Sequence, residues 1–245
     1  AIDENGKFTG FDIVIGNPPY IQLQSMHNGA DTLAKMNYAT YARSGDIYCL
    51  FYELAYKLLK KDGMLAYISS NKWMRAGYGE ALRNFLVTKT DPVQLIDFSG
   101  EKVFQKVTVD VNILIYRKAE NQFNTLSCII KGSDWRNNLS DYVRQHAVSN
   151  RFDSSGSWVI LSPVEQSIKR KIEAIGTPLK DWDIIINYGI KTGANDAFII
   201  DGSKRNELVS ADPKSAEIIR PILRGRDIKR YGFDFADQYI ICLLY

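Results

Sequence analysis

The 245-residue sequence predicts an α/β fold, with the C-terminal half of a doubly wound sheet followed by part of a mixed α+β domain. Two observations favour this fold class. Between residues 11 and 118, apolar runs of strand length alternate with helical patterns, as they do in sheets that are covered by helices on both faces. After the polar stretch at residues 118–122 the alternation stops, which indicates that a different domain follows.

The first predicted strand, at residues 11–16, is apolar on both faces and ends at a glycine. Such a run is typical of the buried centre of a parallel sheet. Ligands bind at the carboxyl ends of parallel strands, so we expect a binding site at the residues that follow, Asn17-Pro18-Pro19-Tyr20. Pro18 and Pro19 each fix a backbone angle, and the turn is therefore predicted to be stiff.

The groups in this turn suit one kind of chemistry. The Asn17 oxygen and the Pro18 carbonyl can accept both N–H groups of a planar aromatic amine, whose delocalised lone pair is otherwise a poor nucleophile. Tyr20 offers a ring on which an extruded base can stack, a contact worth ~1–3 kcal/mol. An Asn-Pro pair alone is more often an ordinary turn, and a tyrosine after it usually packs in a core.

The complete string at the end of a strand resembles the catalytic motif Asn/Asp/Ser-Pro-Pro-Tyr/Phe of the amino-methyltransferases that use S-adenosylmethionine. This resemblance implies that Asn17, Pro18, Pro19 and Tyr20 are catalytic residues. It also implies a Rossmann-like methyltransferase sheet whose final two strands form an antiparallel hairpin on the sheet edge.

The elements after the turn continue the alternation. Asp46 is predicted to cap a helix whose apolar positions recur at helical spacing to Leu58, and Gly63 is predicted to end it. Further strands are expected at residues 64–69, 93–97 and 107–116, with a shorter helix at residues 78–87.

A second aromatic residue of interest is Phe104, in the segment Val-Phe-Gln-Lys-Val-Thr-Val at residues 103–109. By spacing alone it is an ordinary core residue at the entrance of a strand. Its position resembles that of the second aromatic for the flipped base in adenine-N6 DNA methyltransferases of the γ arrangement, such as the type IIG restriction–modification enzymes. The resemblance implies that Tyr20 and Phe104 enclose the target adenine.

The cofactor site of such enzymes is expected to be incomplete in this chain. In the family, a glycine-rich loop and acidic strand ends precede the catalytic turn, but only sixteen residues precede Asn17. Gly77-Tyr78-Gly79 lacks a third glycine and is interpreted as the entrance of a helix. Asn17 and Pro18 are therefore the expected contacts to S-adenosylmethionine, and the chain is expected to be a fragment that is inactive alone.

The strings at residues 187–198 and 221–231 resemble the start of the target-recognition domain of type IIG enzymes. The first places polar residues around Gly193 in a predicted turn, and the second places several cations near a single carboxylate, Asp227. Such residues can contact the phosphates or base edges of double-stranded DNA, although a charge run is equally often a solvated, salt-bridged face. The predicted DNA-binding residues are Lys191, Thr192, Gly193, Asn195, Arg224, Arg226, Lys229 and Arg230.

Three parts of the chain are therefore expected. They are the catalytic part of a methyltransferase domain, a connecting segment and the N-terminal part of a target-recognition domain, at residues 1–120, 121–175 and 176–245. In the connecting segment, short strands are predicted at residues 126–131 and 158–161. A helix is predicted to follow to Ile175, with Ser162 and Glu165 in the pattern of a capping box and Pro163 at its first position.

Composition argues against several other classes of protein. Cys49, Cys128 and Cys242 are far apart and odd in number, which favours buried thiols in a reducing compartment, the cytoplasm, over disulfides. The two histidines, His27 and His146, lack partners at ligand spacing, so no metal site is predicted. No apolar run reaches membrane-spanning length. Because the net charge is only +3, any contact with DNA must come from local patches.

The sequence is thus interpreted as part of an adenine-N6 DNA methyltransferase of a restriction–modification enzyme, with any nuclease domain outside the chain. Two alternatives stay open. A protein glutamine-N5 methyltransferase has the same turn but lacks a long domain after the sheet. A non-catalytic DNA-specificity module would keep the fold without transferring methyl groups, and the intact Asn17-Pro18-Pro19-Tyr20 string argues against it.

Overall fold

The computed structural model describes residues 1–26, 28–104, 109–185, 189–190 and 193–242. The chain forms two compact units, Ala1–Thr177 and Pro178–Tyr245. The first unit contains a six-stranded sheet and carries the Asn17-Pro18-Pro19-Tyr20 turn. The second unit contains a three-stranded sheet and a two-stranded ribbon.

The sheet of the first unit is formed by strands from most of its length. They are β1 (Phe11–Gly16), β2 (Leu59–Ser70), β3 (Asp91–Asp97), β4 (Val111–Arg117), β5 (Thr125–Ile129) and β6 (Val148–Asn150). Their spatial order is β1-β2-β4-β3-β5-β6. The pairs β1/β2 and β3/β5 are parallel, whereas β4 is antiparallel to both β2 and β3 and β6 is antiparallel to β5. Strands β1, β2, β3 and β5 consequently run in one direction.

Four helices of the first unit lie between these strands in the chain, and a fifth follows the last strand. They are α1 (Asn28–Lys35), α2 (Tyr48–Leu58), α3 (Glu80–Lys89), α4 (Leu139–His146) and α5 (Pro163–Ile175). The predicted capping box starts α5. Ser162 Oγ accepts the Glu165 N–H at 3.3 Å, and Glu165 Oε2 accepts the Ser162 N–H at 2.8 Å. Because this reciprocal pair satisfies two N–H groups at the helix start, the sequence signal was sufficient to locate it.

The predicted strand at residues 11–16 is present, but its predicted burial is wrong. β1 is the edge strand of the described sheet, and Ile13 and Ile15 are 62% and 77% exposed. An apolar run predicts burial only where both neighbours of a strand are in place, and in the described residues β1 pairs with β2 alone. The prediction of an antiparallel pair at 93–97 and 107–116 is confirmed as β3 and β4. Its placement on the sheet edge is wrong, because β4 lies between β2 and β3.

Other differences are local. α2 begins at Tyr48 with Ile47 at its N-cap, and the Asp46 carboxylate instead accepts a hydrogen bond from the Tyr78 hydroxyl. The helix ends at Leu58, before the predicted Gly63, because β2 already begins at Leu59 opposite Phe11. Residues 158–161 form no strand. Trp158 is buried there and donates its backbone N–H to the Met74 carbonyl at 2.8 Å.

Large aromatic side chains dominate the core between the sheet, α2 and α3. Tyr52, Trp73, Tyr116 and Trp158 are all less than 2% exposed. The Tyr52 hydroxyl lies 2.9 Å from Ser69 Oγ, and the Tyr116 hydroxyl donates to the Tyr52 carbonyl at 2.7 Å. These bonds offset the cost of burying polar oxygen atoms, so the rings can be buried completely.

The cysteines follow the predicted pattern in the described residues. Cys49 and Cys128 are buried free thiols, and Cys242 is half-buried. Burial raises the pKa of the Cys49 thiol to about 12. This thiol therefore stays protonated at neutral pH and has little of the thiolate character that reactive cysteines need.

The second unit is described from short elements. They are α6 (Asn195–Phe198), β7 (Ile199–Asp201), α7 (Gly202–Ala211), β8 (Ile219–Pro221), β9 (Ile228–Lys229), β10 (Gly232–Phe233) and β11 (Gln238–Ile241). β11 pairs antiparallel with β7 on one side and β8 on the other, and β9 and β10 form the ribbon. Asp201 caps α7 by accepting the Lys204 N–H at 2.8 Å.

The interpretation of Gly77-Tyr78-Gly79 as a helix entrance leads to a stability prediction. These residues form a 3-10 turn that runs into α3, and a Cβ atom on Gly79 would clash with the backbone of Trp73. We expect Gly79→Ala to lower the free energy of unfolding by about 2–3 kcal/mol, measured by denaturant titration with tryptophan fluorescence. A Cβ atom on Gly77 meets no atom within 4 Å, so Gly77→Ala should change the free energy of unfolding by less than ~0.5 kcal/mol. Equal effects of the two substitutions would contradict this packing.

Candidate active site

The site lies at the end of the first unit's sheet where the parallel strands finish. Because β1, β2, β3 and β5 run in the same direction, the segments that leave their carboxyl ends lie side by side there. Asn17 follows β1, and Asn71 follows β2 on the neighbouring strand. The segment after β3 leads to Phe104.

Of the three residues of the turn that precede Tyr20, one is buried and two are exposed. Pro18 is buried, Asn17 and Pro19 are exposed, and Tyr20 is half-buried. The Tyr20 hydroxyl donates a hydrogen bond to Asn17 Oδ1 at 2.8 Å. An amide oxygen has two lone pairs, so this bond orients the Asn17 side chain and leaves it one further acceptor position. Burial raises the pKa of Tyr20, which keeps this hydroxyl protonated as a donor.

The ring of Tyr20 is supported by Tyr48, whose hydroxyl belongs to a hydrogen-bonded chain. Tyr48, which is fully buried, contacts it edge to face with ring centroids 6.1 Å apart. The Tyr48 hydroxyl lies 2.8 Å from the Tyr78 hydroxyl, which in turn donates to Asp46 Oδ2 at 3.0 Å. Burial is the main cause that raises the pKa of both Tyr48 and Tyr78. Both hydroxyls therefore remain protonated, and Asp46 provides the terminal acceptor of the chain.

The backbone after the turn is held by hydrogen bonds to the residues on either side of Asp46. Ile21 accepts the Ile47 N–H at 2.9 Å, and the Leu23 N–H donates to the Gly45 carbonyl at 2.9 Å. These two bonds flank Asp46 and pair the segment after Tyr20 with the segment before α2. Side-chain and backbone contacts thus fix the position of Tyr20 from two directions.

Phe104 is half-buried and packs on the same apolar cluster as Tyr20, formed by Ile96, Phe98, Val111, Cys128, Ile130 and Val143. The structure therefore brings the two predicted stacking residues to one cluster. Residues 105–108, which follow Phe104 in the predicted motif, lie outside the described residues.

The loop that carries Phe104 is anchored to the segment after β5. Glu101 Oε1 accepts the Gly132 N–H at 3.1 Å, and Glu101 forms an ion pair with Arg136 at 3.6 Å. The Trp135 ring packs edge to face on Phe98 with centroids 5.2 Å apart. These contacts tie residues 98–101 to residues 132–136 and restrict the approach of Phe104 to the site.

Sequence reasoning missed these supporting residues. The sequence predicts Asp46 as a helix cap and Tyr78 as the first residue of a later helix, and neither pattern indicates the contact between them. Glu101 and Trp135 are 34 residues apart in the chain, and no local pattern connects them. Their roles depend on the pairing of β3 with β5, which only the fold reveals.

The predicted DNA-binding residues lie in the second unit, and Lys191 and Thr192 fall outside the described residues. Gly193 has a φ of 71°, which suits a glycine in a turn, and Asn195 begins α6. The other four predicted residues, Arg224, Arg226, Lys229 and Arg230, lie on consecutive short elements at residues 224–230.

These four cations differ in their contacts. Arg224 donates its Nε and its backbone N–H to Asp227 Oδ2, at 3.1 and 2.8 Å, and this hydrogen bonding lowers the pKa of Asp227. Lys229 lies 3.2 Å from Asp234. The Arg226 side chain is 73% exposed and reaches Asp227 only at 3.9 Å, and Arg230 lies over the Tyr231 ring. Arg226 and Arg230 are therefore the members of the set most available to an external anion, and Arg224 mainly stabilises its own turn.

The described residues fit only the reactive end of the implied cofactor, S-adenosylmethionine. Asn17 and Pro18 lie at the carboxyl end of β1, where the resemblance implies that the reactive end of this cofactor binds. The far side of β1 is open in the described sheet, with Ile13 and Ile15 facing solvent. In this part of the chain there is no group of His, Cys, Asp or Glu residues able to hold a metal ion. Nor does any helix described here have the length and apolar character to cross a membrane.

Comparison with known proteins identifies relatives of this chain. Residues 1–104 match the protein family described as Eco57I restriction-modification methylase. The type II restriction enzyme and methyltransferase RM.Eco57I of Escherichia coli is 27% identical over 196 residues, covering 77% of this chain and 19% of that protein. The type II methyltransferase M.BstVI of Geobacillus stearothermophilus is 22% identical over 251 residues, covering 94% of this chain and 43% of that protein. The chain therefore spans less than half the length of these relatives, and the resemblance inferred from the catalytic turn is confirmed.

Solved structures with the same fold include two restriction–modification enzymes. The type IIG restriction endonuclease BpuSI has a TM-score of 0.53 at 16% identity, covering 96% of this chain and 31% of its own. The type IIL restriction-modification enzyme MmeI, solved in complex with DNA, has a TM-score of 0.52 at 14% identity, covering 94% of this chain and 29% of its own. At these identities the likeness shows the fold alone, and it agrees with the predicted fold class.

The hydroxyl chain under Tyr20 gives a second stability prediction. Tyr78→Phe removes the group that joins Tyr48 to Asp46 and leaves the buried Tyr48 hydroxyl without this partner. We expect the free energy of unfolding to fall by about 1–3 kcal/mol in a urea titration. The matched control is Tyr56→Phe, because the Tyr56 hydroxyl makes no hydrogen bond to the described residues, and its expected change is below ~0.5 kcal/mol. A Tyr78→Phe variant as stable as the control would show that the three side chains do not form a cooperative chain.

Proposed function

We propose that this chain is the target-amine half of a site-specific DNA methyltransferase that acts on the N6 amine of adenine, together with the beginning of its target-recognition domain. One observation carries the proposal. The Asn17-Pro18-Pro19-Tyr20 turn lies at the carboxyl end of a sheet strand, with the Asn17 oxygen oriented by the Tyr20 hydroxyl. The match of residues 1–104 to restriction-modification methylases, and the type II methyltransferases among the relatives, support the reaction class.

In the proposed reaction, the turn makes a weak nucleophile reactive. Asn17 Oδ1 and the Pro18 carbonyl accept the two N–H groups of the adenine amine, which favours the pyramidal nitrogen that develops in the transition state. The Tyr20 hydroxyl keeps Asn17 Oδ1 aimed at the amine while using only one of its lone pairs. Asn17 is not a strong base, so the surplus proton leaves to water after the transfer.

When bound, S-adenosylmethionine supplies a methyl group whose bond to sulfur breaks, with the electron pair staying on sulfur, as the amine nitrogen bonds to the methyl carbon. Asn17 and Pro18 are the residues of this chain proposed to lie against that end of the cofactor. The remainder of its binding site is proposed to come from polypeptide beyond residues 1–245, on the open side of β1.

Reaching the amine requires that the adenine leaves the double helix. Tyr20 is proposed to stack on the extruded base, and Phe104 to close the other face. Both rings pack on one apolar cluster, and this supports the arrangement because the buried side chains limit the movement of the two rings. Tyr20 is held most firmly, by Tyr48 and the hydroxyl chain that ends at Asp46.

Double-stranded DNA is the proposed partner, and residues 176–245 are proposed to begin its recognition. Gly193, Asn195, Arg224, Arg226, Lys229 and Arg230 are the described candidates, with Lys191 and Thr192 as further predicted members. The name of RM.Eco57I combines a restriction enzyme with a methyltransferase. A fused nuclease is accordingly proposed only for the part of the complete protein that lies outside this chain, and its compartment is proposed to be the cytoplasm.

Neither alternative gains support from the comparisons. The relatives reported above are named as type II methyltransferases or restriction enzymes, and none is named as a protein methyltransferase. A degenerate, non-catalytic module would have no need to keep Asn17 exposed with its oxygen oriented. The DNA methyltransferase is therefore the function that we retain.

The complete polypeptide provides the test. Incubated with DNA and S-adenosylmethionine labelled in its methyl group, it is expected to produce N6-methyladenine, detected by mass spectrometry of the digested DNA. Asn17→Ala should lower the rate at least ~1,000-fold with DNA binding unchanged, because an amine acceptor acts in the transition state. Transfer to a protein amide but not to DNA would favour the glutamine methyltransferase, and full activity of the variant would refute the assigned role of Asn17.

A second substitution separates the two roles of Tyr20. Tyr20→Phe keeps the ring but removes the bond to Asn17, so we expect a lower kcat with an almost unchanged affinity for DNA. Tyr20→Ala also removes the stacking surface and should lose a further ~1–3 kcal/mol of transition-state stabilisation. The isolated 245-residue chain is expected to transfer no methyl groups, and activity of this chain alone would contradict the proposed division of the cofactor site.

A further inference from the structure

A cleft beside the catalytic turn carries two cations that the proposed function has not used. It has a volume of about 290 Å³ and is lined by Asn71, Lys72, Met74, Arg75, Ala76 and Asp97. Lys72 and Arg75 are exposed, and neither side chain has a hydrogen bond or ion pair with the described residues. Both belong to the segment that leaves the carboxyl end of β2, the strand that pairs with β1.

The cleft is close to the site. Gly16 is opposite Tyr67 in the pairing of β1 with β2, so the end of β2 at Ser70 extends only a little beyond Asn17. Neighbouring strands are ~4.8 Å apart and rise ~3.3 Å per residue, which places the backbone of Lys72 on the order of 10 Å from that of Asn17. A strand of nucleic acid whose base occupies the catalytic turn therefore passes within reach of these two side chains.

The carboxylate in the cleft does not neutralise them. Asp97 is 1% exposed, and its oxygen atoms accept hydrogen bonds from Asn71 Nδ2 at 2.8 Å and from Ser99 Oγ at 2.9 Å. It forms no ion pair with Lys72 or Arg75. The mouth of the cleft consequently presents two cations, whereas its carboxylate faces inward and is already bonded.

The segment that carries the cations is also rigid. The Lys72 N–H donates to Ser70 Oγ at 3.3 Å, and the Lys72 carbonyl accepts the N–H groups of Arg75 and Ala76 at 3.1 and 2.8 Å. The buried Arg83 donates to the Ala76 carbonyl at 3.0 Å, which fixes the far end of the segment to α3. The backbone at both cations is therefore already ordered, so binding an anion orders only their side chains.

We propose that this cleft binds a backbone phosphate of the DNA strand that delivers the target base, through Lys72 and Arg75. The inference rests on the proposed function and adds a DNA contact in the first unit, separate from the predicted contacts in the second. Arg75 provides the planar donor fork that matches phosphate oxygens, and Lys72 adds a point charge. Holding a phosphate next to an extruded nucleotide fixes its position without reading the sequence.

The test uses the complete 245-residue chain and a fluorescently labelled, random-sequence DNA duplex, with affinity measured by anisotropy over a range of salt concentrations. The double variant Lys72→Glu/Arg75→Glu is compared with Lys61→Glu/Lys89→Glu, which makes the same charge change. Lys61 and Lys89 are exposed and lie near the amino ends of β2 and β3, so they are at the other end of these strands from the cleft. Lys72→Gln/Arg75→Gln serves as a milder second variant.

The cleft variants are expected to weaken binding at least ~10-fold at low salt and to reduce the slope of log affinity against log salt by about 1, because one phosphate contact is lost. The control pair should keep the slope of the unmodified chain. Equal losses in both pairs, or an unchanged slope in the cleft variants, would overturn the inference while leaving the proposed function intact. If the unmodified chain shows no salt-dependent DNA binding, the inference fails, whereas the proposed function is tested separately by methylation with the complete polypeptide.

Discussion

The parallel pairing of β1 with β2 is the constraint on which the site depends. It brings the carboxyl end of β1 beside that of β2, and so places Asn17 next to the polar segment at residues 70–76. It also brings Tyr20 within range of α2, where Tyr48 supports the ring. A shift of this register by one residue would turn every side chain of β1 to the other face of the sheet and move the turn away from its supports.

Two kinds of contact convert this placement into a defined geometry. The prolines restrict the backbone of the turn, and the bonds from Leu23 to Gly45 and from Ile47 to Ile21 hold the chain that follows it. The side chains are then fixed by short hydroxyl bonds, from Tyr20 to Asn17 and from Tyr48 through Tyr78 to Asp46. The proposed reaction at an amine depends on such preorganisation, because every freely rotating group would have to be ordered during the reaction.

The sequence predicted the fold class and the position of the Asn17-Pro18-Pro19-Tyr20 turn after a strand, because each has a local signal. Apolar runs indicated the strands, the capping box marked the start of α5, and the Asn-Pro-Pro-Tyr string is specific in four residues. It could not predict that β4 inserts between β2 and β3, since strand order depends on contacts between segments distant in the chain. For the same reason it missed Tyr78, whose hydroxyl lies 30 residues along the chain from its partner Tyr48. The prediction that β1 is buried was wrong, because an apolar run indicates that a strand is suited to burial but not which element packs against it.

The exposed edge of β1 has a practical consequence for handling the chain. An edge strand with unpaired backbone groups, two exposed isoleucines and no proline is a template for strands of other molecules, so it promotes intermolecular pairing and precipitation. The protective charge on this strand is Asp12, and its carboxylate is engaged by Lys60 at 2.8 Å, which weakens its repulsion of a neighbouring copy. This strand of six residues is therefore one place where copies of the isolated chain can pair, and a charged side chain in place of an exposed isoleucine would oppose that pairing.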